Sequence, residues 1–342
     1  MSPSPGEHPH SGSSAGCDYR PSQRTGLPRS RLPDGRDVRG PSFQQGRRLC
    51  SLLGRGSVPK VEVNGTSLEY VEEGTGQPVV FVHGSTGDLR MWSQQMDVFA
   101  TSYRAIAVSC RHYHPNDEIP DGVDLPMPTL VDDLAALLRD LNLAPAHVVG
   151  QSSGAFVCLL LGAKHPDLLR TLVLAEPPVM PLLGLGDPPK PHQLLGLLIR
   201  NPGTGVPVIR FGMTIVPTER AFARGDDERG LRTFFRGVLG HQAFAELPAA
   251  RWQQARENIK PFKAQMRVGF PPFGEEDARR VGTPTLLVTG ERSAPVLHRL
   301  VDRLQQLMPR AQKMEIRNAS HFMHEDRPQE FNERVLAFLA RN

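Results

Sequence analysis

The sequence predicts an α/β protein built on a doubly wound, mostly parallel sheet, and three observations lead to this prediction. Short runs of Val, Leu and Ile recur without polar alternation, as expected of strands that are buried on both faces. Helical segments separate these runs, which indicates βαβ units. One interval of about a hundred residues breaks the alternation and is too long for a structureless loop, so it predicts a helical insertion.

The elements follow in order from residue 58. An Asn64-Gly65 pair between residues 60–63 and 67–71 predicts an antiparallel hairpin. The continuous apolar runs predict six further strands, at residues 78–83, 104–110, 146–151, 170–175, 283–289 and 313–316. Leucines at helical spacing and compact apolar stretches predict helices at residues 129–143, 155–164, 294–308 and 328–340.

The charge divides the chain into a leader and a body. Residues 1–57 carry nine Arg, no Lys and four acidic residues, and 26 of the 57 are Gly, Pro or Ser. Such a composition cannot bury enough apolar surface to fold, so we expect a disordered basic leader. The body has a net charge of −1, so the overall charge of +4 does not indicate a nucleic-acid partner.

The body divides into a core and an insertion. Residues 58–176 and 280–342 are predicted to form the core, and residues 177–279 a helical lid that is Pro- and Gly-rich at first and helical from about residue 217. No apolar run approaches the roughly 20 residues that span a bilayer, so no membrane partner is expected. Four cysteines are too few for a disulfide scaffold, which favours a reducing, cytoplasmic location.

The sequence offers little support for a metal or a cofactor. His112 and His114 follow a predicted strand, but no carboxylate or Cys stands at matching ligand spacing. No glycine-rich nucleotide-binding motif is present. We therefore expect no cofactor, and a small molecule as the partner.

The segment Gly150-Gln151-Ser152-Ser153-Gly154 matches the G-x-S-x-G pattern between a predicted strand and a predicted helix. In that context the pattern favours a strained turn that projects the hydroxyl of Ser152 at the amino end of a helix, over a plain Gly/Ser-rich turn. The glycines Gly150 and Gly154 suit it because side chains there would clash with strand and helix backbones.

A nucleophilic serine needs a base, and His321 lies in the loop after the last predicted strand. A base there can reach across the carboxyl edge of the sheet. His324, three residues on, is the alternative base, although a structural loop histidine is the favoured interpretation of that residue.

Residues 58–342 resemble the α/β-hydrolase superfamily. The elbow at Ser152, the His83-Gly84-Ser85 turn and the loop at His321 stand at the spacing of that family. The resemblance implies an α/β-hydrolase fold, in which the backbone N–H groups of Ser85 and Ser153 form an oxyanion hole.

The acid is where the sequence departs from the family pattern. Many members carry an Asp in the turn after the penultimate strand, where this chain has Ser293. Either the predicted catalytic site is degenerate, or another carboxylate is the acid that orients the histidine. Glu176 follows the strand after the nucleophile strand, a placement similar to that of some haloalkane dehalogenases, and is the preferred acid; Glu291 is second.

A serine nucleophile argues against the dehalogenase and epoxide-hydrolase chemistries of the family, whose members use a carboxylate. It favours hydrolysis of a small or medium carboxylic ester or lactone through an acyl-enzyme on Ser152. The alternatives are a cofactor-free haloperoxidase or perhydrolase, a C–C bond hydrolase, or a catalytically weak receptor that holds a ligand under the lid.

Overall fold

A computed structural model describes residues 58–185 and 189–342, and the predicted leader at residues 1–57 lies outside the described residues. The described strands form one eight-stranded sheet in the order β1-β2-β4-β3-β5-β6-β7-β8. They are β1 Lys60–Val63, β2 Thr66–Glu73, β3 Pro78–Val82, β4 Arg104–Val108, β5 Ala146–Gln151, β6 Leu169–Ala175, β7 Thr285–Gly290 and β8 Ala311–Ile316.

The sheet is antiparallel at one edge and parallel elsewhere. The hairpin strand β2 pairs antiparallel with β1 and β4, whereas β3 to β8 pair in parallel. The carboxyl ends of the central strands therefore meet at one edge, where Val82 of β3 pairs with Gly150 and Gln151 of β5 pairs with Ala175 of β6. Residues that directly follow these strands are brought together there.

Helices cover both faces of the sheet. Those of the core are α1 Ser93–Phe99, α2 Met127–Asp140, α3 Ser153–Lys164, α10 Pro295–Leu307, α11 Met323–Asp326 and α12 Pro328–Leu339. Those between β6 and β7 are α4 Pro191–Arg200, α5 Pro202–Ala223, α6 Asp227–Ala245, α7 Ala249–Glu257, α8 Ile259–Val268 and α9 Glu275–Arg280. Short 3₁₀ turns lie at Leu89–Trp92, Pro166–Leu168 and Met180–Leu183.

The strand side chains alternate between two apolar layers. Along β3, Val80 and Val82 pack into the layer that contains α2 and α3, while Val79 and Phe81 pack into the layer that contains α1 and α12. All four are buried, which is why the strand shows a continuous apolar run instead of an alternating one. The predicted doubly wound, mostly parallel α/β architecture is confirmed.

The helices between β6 and β7 begin earlier than the sequence pattern indicated. We expected helical structure from about residue 217, but α4 begins at Pro191 and α5 at Pro202. Proline is well suited to the first helical position, because its missing N–H needs no partner there and its φ is already helical. The Pro-rich composition of this stretch therefore marks helix starts as well as turns.

No helix among residues 58–185 and 189–342 is long and apolar enough to cross a membrane.

Helix α3 packs against the sheet at very short range. A Cβ added to Gly154 would lie 2.3 Å from the carbonyl oxygen of His83, and one added to Gly150 would lie 2.7 Å from the Cα of Ala155. Both neighbours are backbone atoms, which cannot swing aside as a side chain can. These two glycines are therefore what allows the strand, the turn and the helix to approach one another.

We expect Gly154→Ala to lower the free energy of unfolding by about 1–3 kcal/mol, because the added methyl group forces two backbones apart. The measurement is chemical denaturation, monitored by circular dichroism.

Gly212→Ala is the matched control. Gly212 lies within α5 with nothing within 4 Å of its added Cβ, so that variant should keep or raise the stability by up to about 1 kcal/mol. Equal stability of the two variants would refute the packing argument.

Candidate active site

Ser152 sits in a strained turn between β5 and α3. Its backbone has φ +53° and ψ −122°, a conformation that costs free energy for any residue other than glycine. Its N–H donates to the carbonyl oxygen of Ala175 at 2.8 Å, and its own carbonyl oxygen accepts from the N–H of Phe156 at 3.1 Å. The turn is thus held from both the adjacent strand and the following helix, and the side chain of Ser152 faces a cavity.

Glu176 and His321 form a buried pair. The Nδ1 of His321 lies 2.6 Å from the Oε2 of Glu176, and the two residues are 4% and 0% exposed. The other carboxylate oxygen accepts hydrogen bonds from the hydroxyl of Thr289 at 2.6 Å and from the N–H of Gly290 at 2.9 Å. A buried carboxylate needs such partners. Because Nδ1 donates to Glu176, the Nε2 of His321 is left as the acceptor.

The alternative acid Glu291 lies at the surface and bonds to a backbone N–H group. Its Oε2 accepts a hydrogen bond from the N–H of Asn318 at 2.7 Å, within the loop that follows β8. Ser293, at the position where the resemblance implied an Asp, is buried near Gly290. Of the two carboxylates weighed from the sequence, the structure brings Glu176 to His321.

The loop that carries His321 is held by its backbone. The amide Nε2 of Gln151 donates to the carbonyl oxygen of His321 at 3.0 Å, and Gln151 is fully buried. A Cβ on Gly290 would lie 2.3 Å from the carbonyl oxygen of Ser320, so the loop also rests directly on the end of β7. Sequence reasoning missed Gln151 and Thr289 because both stand at positions where the motif or the strand accepts many residues.

His324, the alternative base, is packed in the core. It is fully buried, and its ring centroid lies 4.7 Å from that of Trp92 and 6.0 Å from that of Phe331. Burial lowers the pKa of His324 well below its ordinary value. His321 lines the cavity with Ser152, whereas His324 packs between aromatic rings.

The turn after β3 is oriented by His83. The N–H of Cys110 donates to the Nε2 of His83 at 2.9 Å, so the proton is on Nδ1, which donates to the carbonyl oxygen of Gly84 at 2.9 Å. That oxygen also accepts from the N–H of Gly87 at 3.0 Å. The C=O and N–H of one trans peptide point in opposite directions. The N–H of Ser85 is therefore directed away from His83, and Ser85 lines the cavity.

A buried ionic cluster ties this turn to α7. The carboxylate of Asp88 is fully buried and accepts hydrogen bonds from Arg90 at 2.6 Å, from Gln254 at 2.7 Å and from Asn258 at 2.7 Å. Burial alone would raise the pKa of Asp88, but the hydrogen bonds and charge of Arg90, with the two amides, lower it below its ordinary value. Arg90 also reaches Glu257 at 2.5 Å. No local pattern in the sequence indicates the contacts of Asp88 with Gln254 and Asn258, or that of Arg90 with Glu257, since these partners are about 170 residues apart.

Ser152, His321 and Ser85 open into a single cavity of about 630 Å³. The remaining polar side chains on its described wall are Gln265 and Glu219, and most of the rest is apolar. The apolar wall comes largely from α5, α6 and α8, with side chains such as Phe211, Ile215, Phe234, Val238, Phe262 and Met266. Gln265 is held from behind, because its Oε1 accepts a hydrogen bond from the hydroxyl of Tyr113 at 3.0 Å.

Among the described residues, no group of three or more His, Cys, Asp or Glu is placed to hold a metal ion. The thiols of Cys110, two residues after β4, and of Cys158, in α3, are free, and burial raises the pKa of Cys110 to about 12. Neither group takes part in the arrangement around Ser152.

Comparisons with known proteins agree with this architecture. A model of the alpha/beta hydrolase family matches residues 79–334, and the chain belongs to that family. It is similar to epoxide hydrolase 3 of Xenopus tropicalis, with 24% identity over 339 residues that cover 91% of this chain and 88% of the relative. It is also similar to sn-1-specific diacylglycerol lipase ABHD11 of Mus musculus, with 26% identity over 274 residues that cover 77% and 80%.

A solved structure shares the fold across nearly its whole length. The carboxylesterase CesB from Bacillus subtilis superposes with a TM-score of 0.64 and 18% identity, covering 88% of this chain and 97% of that one. At this identity the likeness shows the fold alone. The predicted membership of the α/β-hydrolase superfamily is confirmed by the family model.

Burial lowers the pKa of His83, which makes the stability depend on pH. The unfolded chain binds a proton on this residue below about pH 6.5, and the folded protein does not. The contribution of the neutral His83 to the free energy of unfolding is therefore complete above about pH 6.5. It is lost as the pH falls toward the pKa of His83 in the folded protein. His83→Asn should flatten the pH dependence of the free energy of unfolding by up to about 1.4 kcal/mol per pH unit.

The test is urea denaturation across the acid range. Tyr113→Phe is the control, because it changes a residue whose ring centroid lies 4.7 Å from that of His83 and leaves the imidazole in place. If His83→Asn retains the full slope of the wild type, the buried neutral imidazole is not its source.

Proposed function

We propose that this protein is a serine hydrolase that cleaves a neutral carboxylic ester or lactone through an acyl-enzyme on Ser152. The observation that carries the proposal is the 2.6 Å contact between Glu176 and the Nδ1 of His321, in the cavity wall that also holds Ser152. This contact leaves Nε2 as the basic nitrogen and places a negative charge behind the ring. That is the requirement for a base that must become positively charged.

The proposed reaction runs in two halves. The Nε2 of His321 takes the proton of Ser152 as its oxygen attacks the carbonyl carbon, and the N–H groups of Ser85 and Ser153 hold the resulting oxyanion. His321 then gives that proton to the departing alkoxide, which leaves an acyl group on Ser152. A water molecule, deprotonated by the Nε2 of His321, then attacks the acyl carbon. The bond from this carbon to the oxygen of Ser152 breaks, His321 returns the proton to that oxygen, and the acid is released.

The strained backbone at Ser152 supports this assignment. Ser153 is the first residue of α3, so its N–H stands at the amino end of a helix, where partial positive charge favours an anion. The N–H of Ser85 is set by the hydrogen bonds on the carbonyl of Gly84. Donors held before the reaction begins need no reorganisation when the negative charge develops.

The cavity supports a neutral, largely apolar substrate. Its described wall contains no lysine or arginine that would pair with a substrate carboxylate or phosphate. The Oε1 of Gln265 already accepts a hydrogen bond from the hydroxyl of Tyr113, which leaves the amide NH₂ as a donor for a substrate. A volume of about 630 Å³ lies within the range that holds small and medium organic ligands. The similarity to a diacylglycerol lipase also supports an ester.

We assign residues 177–279 the role of a lid. Helices α5, α6 and α8 supply much of the apolar wall above Ser152. The contacts of Asp88 with Gln254 and Asn258 fasten this segment to the turn that carries Ser85. Such a cover excludes water from the acyl-enzyme and strengthens the electrostatic contacts within the site.

A fluorophosphonate probe should label the wild-type protein and not Ser152→Ala, because only an activated serine attacks phosphorus. The measurement is mass spectrometry of the labelled peptide. Ser153→Ala is the matched control: it removes the adjacent hydroxyl and keeps the backbone N–H, so labelling should persist.

Labelling of Ser152→Ala, or none of the wild type beside a reactive control hydrolase, would refute the nucleophile assignment. A labelled protein that turns over acetate only with peroxide would instead be a perhydrolase.

Glu176→Gln should reduce kcat on a hydrolysed ester by about 10³–10⁴-fold, because the amide no longer stabilises the imidazolium. Glu291→Gln, the same change on the exposed carboxylate, should leave kcat near the wild-type value. Steady-state kinetics on one ester measures both.

Full activity in both variants would contradict the assignment of Glu176. A wild-type protein that binds an ester without hydrolysing it would favour the receptor alternative.

A further inference from the structure

The exposed large apolar side chains are concentrated on two neighbouring helices. Of the eight among the described residues, six lie on α4 and α5: Leu195, Ile199, Val206, Ile209, Met213 and Val216. Ile199 is 73% exposed and Met213 is 64% exposed. Helix α4 contains no buried residue at all. A patch of this kind usually marks a surface that meets an apolar partner.

On α5 these side chains lie on one face. Val206, Ile209, Met213 and Val216 follow one another at intervals of three, four and three residues, which places them in one stripe along a helix. On α4, Leu195 and Ile199 are four residues apart and share a face in the same way. We call these six residues the apolar face.

The apolar face is continuous with the mouth of the cavity. Ile209, Met213 and Val216 are exposed to solvent and also line the cavity that contains Ser152. An apolar chain that leaves this face can therefore enter the cavity along a wall of apolar side chains. A surface made only for packing against another protein would not need to open into the site.

Positive charge surrounds the apolar face. Residues 189–224 contain five basic residues and one acidic residue, Glu219. The bases are Lys190, Arg200, Arg210, Arg220 and Arg224, and all are exposed. Within the part of the chain that the structure describes, none of the five forms an ion pair. At 3.6 residues per turn, Arg210 and Arg220 fall on the same side of α5 as Met213.

We propose that the apolar face docks on an anionic lipid surface, and that the substrate is an ester with a long apolar chain that passes from this surface into the cavity. The substrate part rests on the proposed function; the docking part does not. An apolar stripe bordered by arginines is the arrangement of helices that lie in a membrane interface, where long basic side chains reach up to the lipid phosphates. Such attachment is peripheral and requires no spanning helix.

Vesicle flotation of the full chain tests the docking. The wild type should float with vesicles of equal parts phosphatidylcholine and phosphatidylserine, more weakly with phosphatidylcholine alone, and less as salt is added. Leu195→Ser/Ile199→Ser/Val206→Ser should reduce binding by about tenfold or more. These three residues do not line the cavity, so hydrolysis of a short water-soluble ester should be unchanged.

Two matched controls separate this face from the rest of the surface. Val123→Ser removes another exposed apolar side chain, 43% exposed and outside the cavity, and should float as the wild type does. Arg210→Gln/Arg220→Gln should remove the preference for phosphatidylserine. Arg317→Gln/Arg341→Gln makes the same charge change elsewhere on the exposed surface and should keep it.

The outcomes distinguish the two proposals. Ser152→Ala should float as well as the wild type, so loss of catalysis does not mimic loss of docking. If no variant floats on any vesicle while the short ester is hydrolysed, the docking proposal is overturned and the proposed function stands. If the wild type floats but hydrolyses no ester, the proposed function is overturned and the docking proposal stands. If the triple serine variant converts a dimer into a monomer without affecting flotation, the face binds a second copy and the docking proposal is wrong.

Discussion

The buried carboxylate of Glu176 is the constraint on which the centre of the molecule depends. A fully buried negative charge is tolerated only where hydrogen-bond donors surround it. Thr289 and Gly290 at the end of β7 and His321 after β8 supply those donors. One side chain after β6 thereby connects three consecutive parallel strands at their carboxyl ends. The hydrogen bond to Glu176 orients the imidazole of His321, and the proposed chemistry depends on that orientation.

The rest of the site is built from backbone held at short range. The approach of Gly154 to His83 brings the nucleophile turn against the turn that bears Ser85, so the two proposed oxyanion donors come from neighbouring segments. Hydrogen bonds on the carbonyl oxygens of Gly84 and His321 orient both loops. Side chains such as His83 and Gln151 act here through the backbone that they hold.

The segment between β6 and β7 combines three properties in one run of helices. It walls the cavity, it is fastened to the core through Asp88, and it presents an apolar, basic surface at the cavity mouth. The net charge of the body did not indicate this surface. A sum over residues 58–342 is near zero even though arginines are in local excess on these helices. The sequence-based expectation of no membrane partner rested on the lack of a spanning segment; the proposed lipid contact is peripheral and is a different kind of attachment.

Local pattern alone determined the strands of the sheet, with ends within about two residues of those observed, and it singled out Ser152 and His321. Those features depend on neighbours in sequence: continuous apolar runs, a Gly-bounded turn, and a loop after the last strand. Only the tertiary structure decided which carboxylate contacts His321. Glu176 and Glu291 both follow strand ends, and the pairing of β6 with β7 determines where each side chain lies relative to the imidazole. The contacts of Asp88 and the shape of the cavity likewise join residues far apart in the chain, and no local pattern records such contacts.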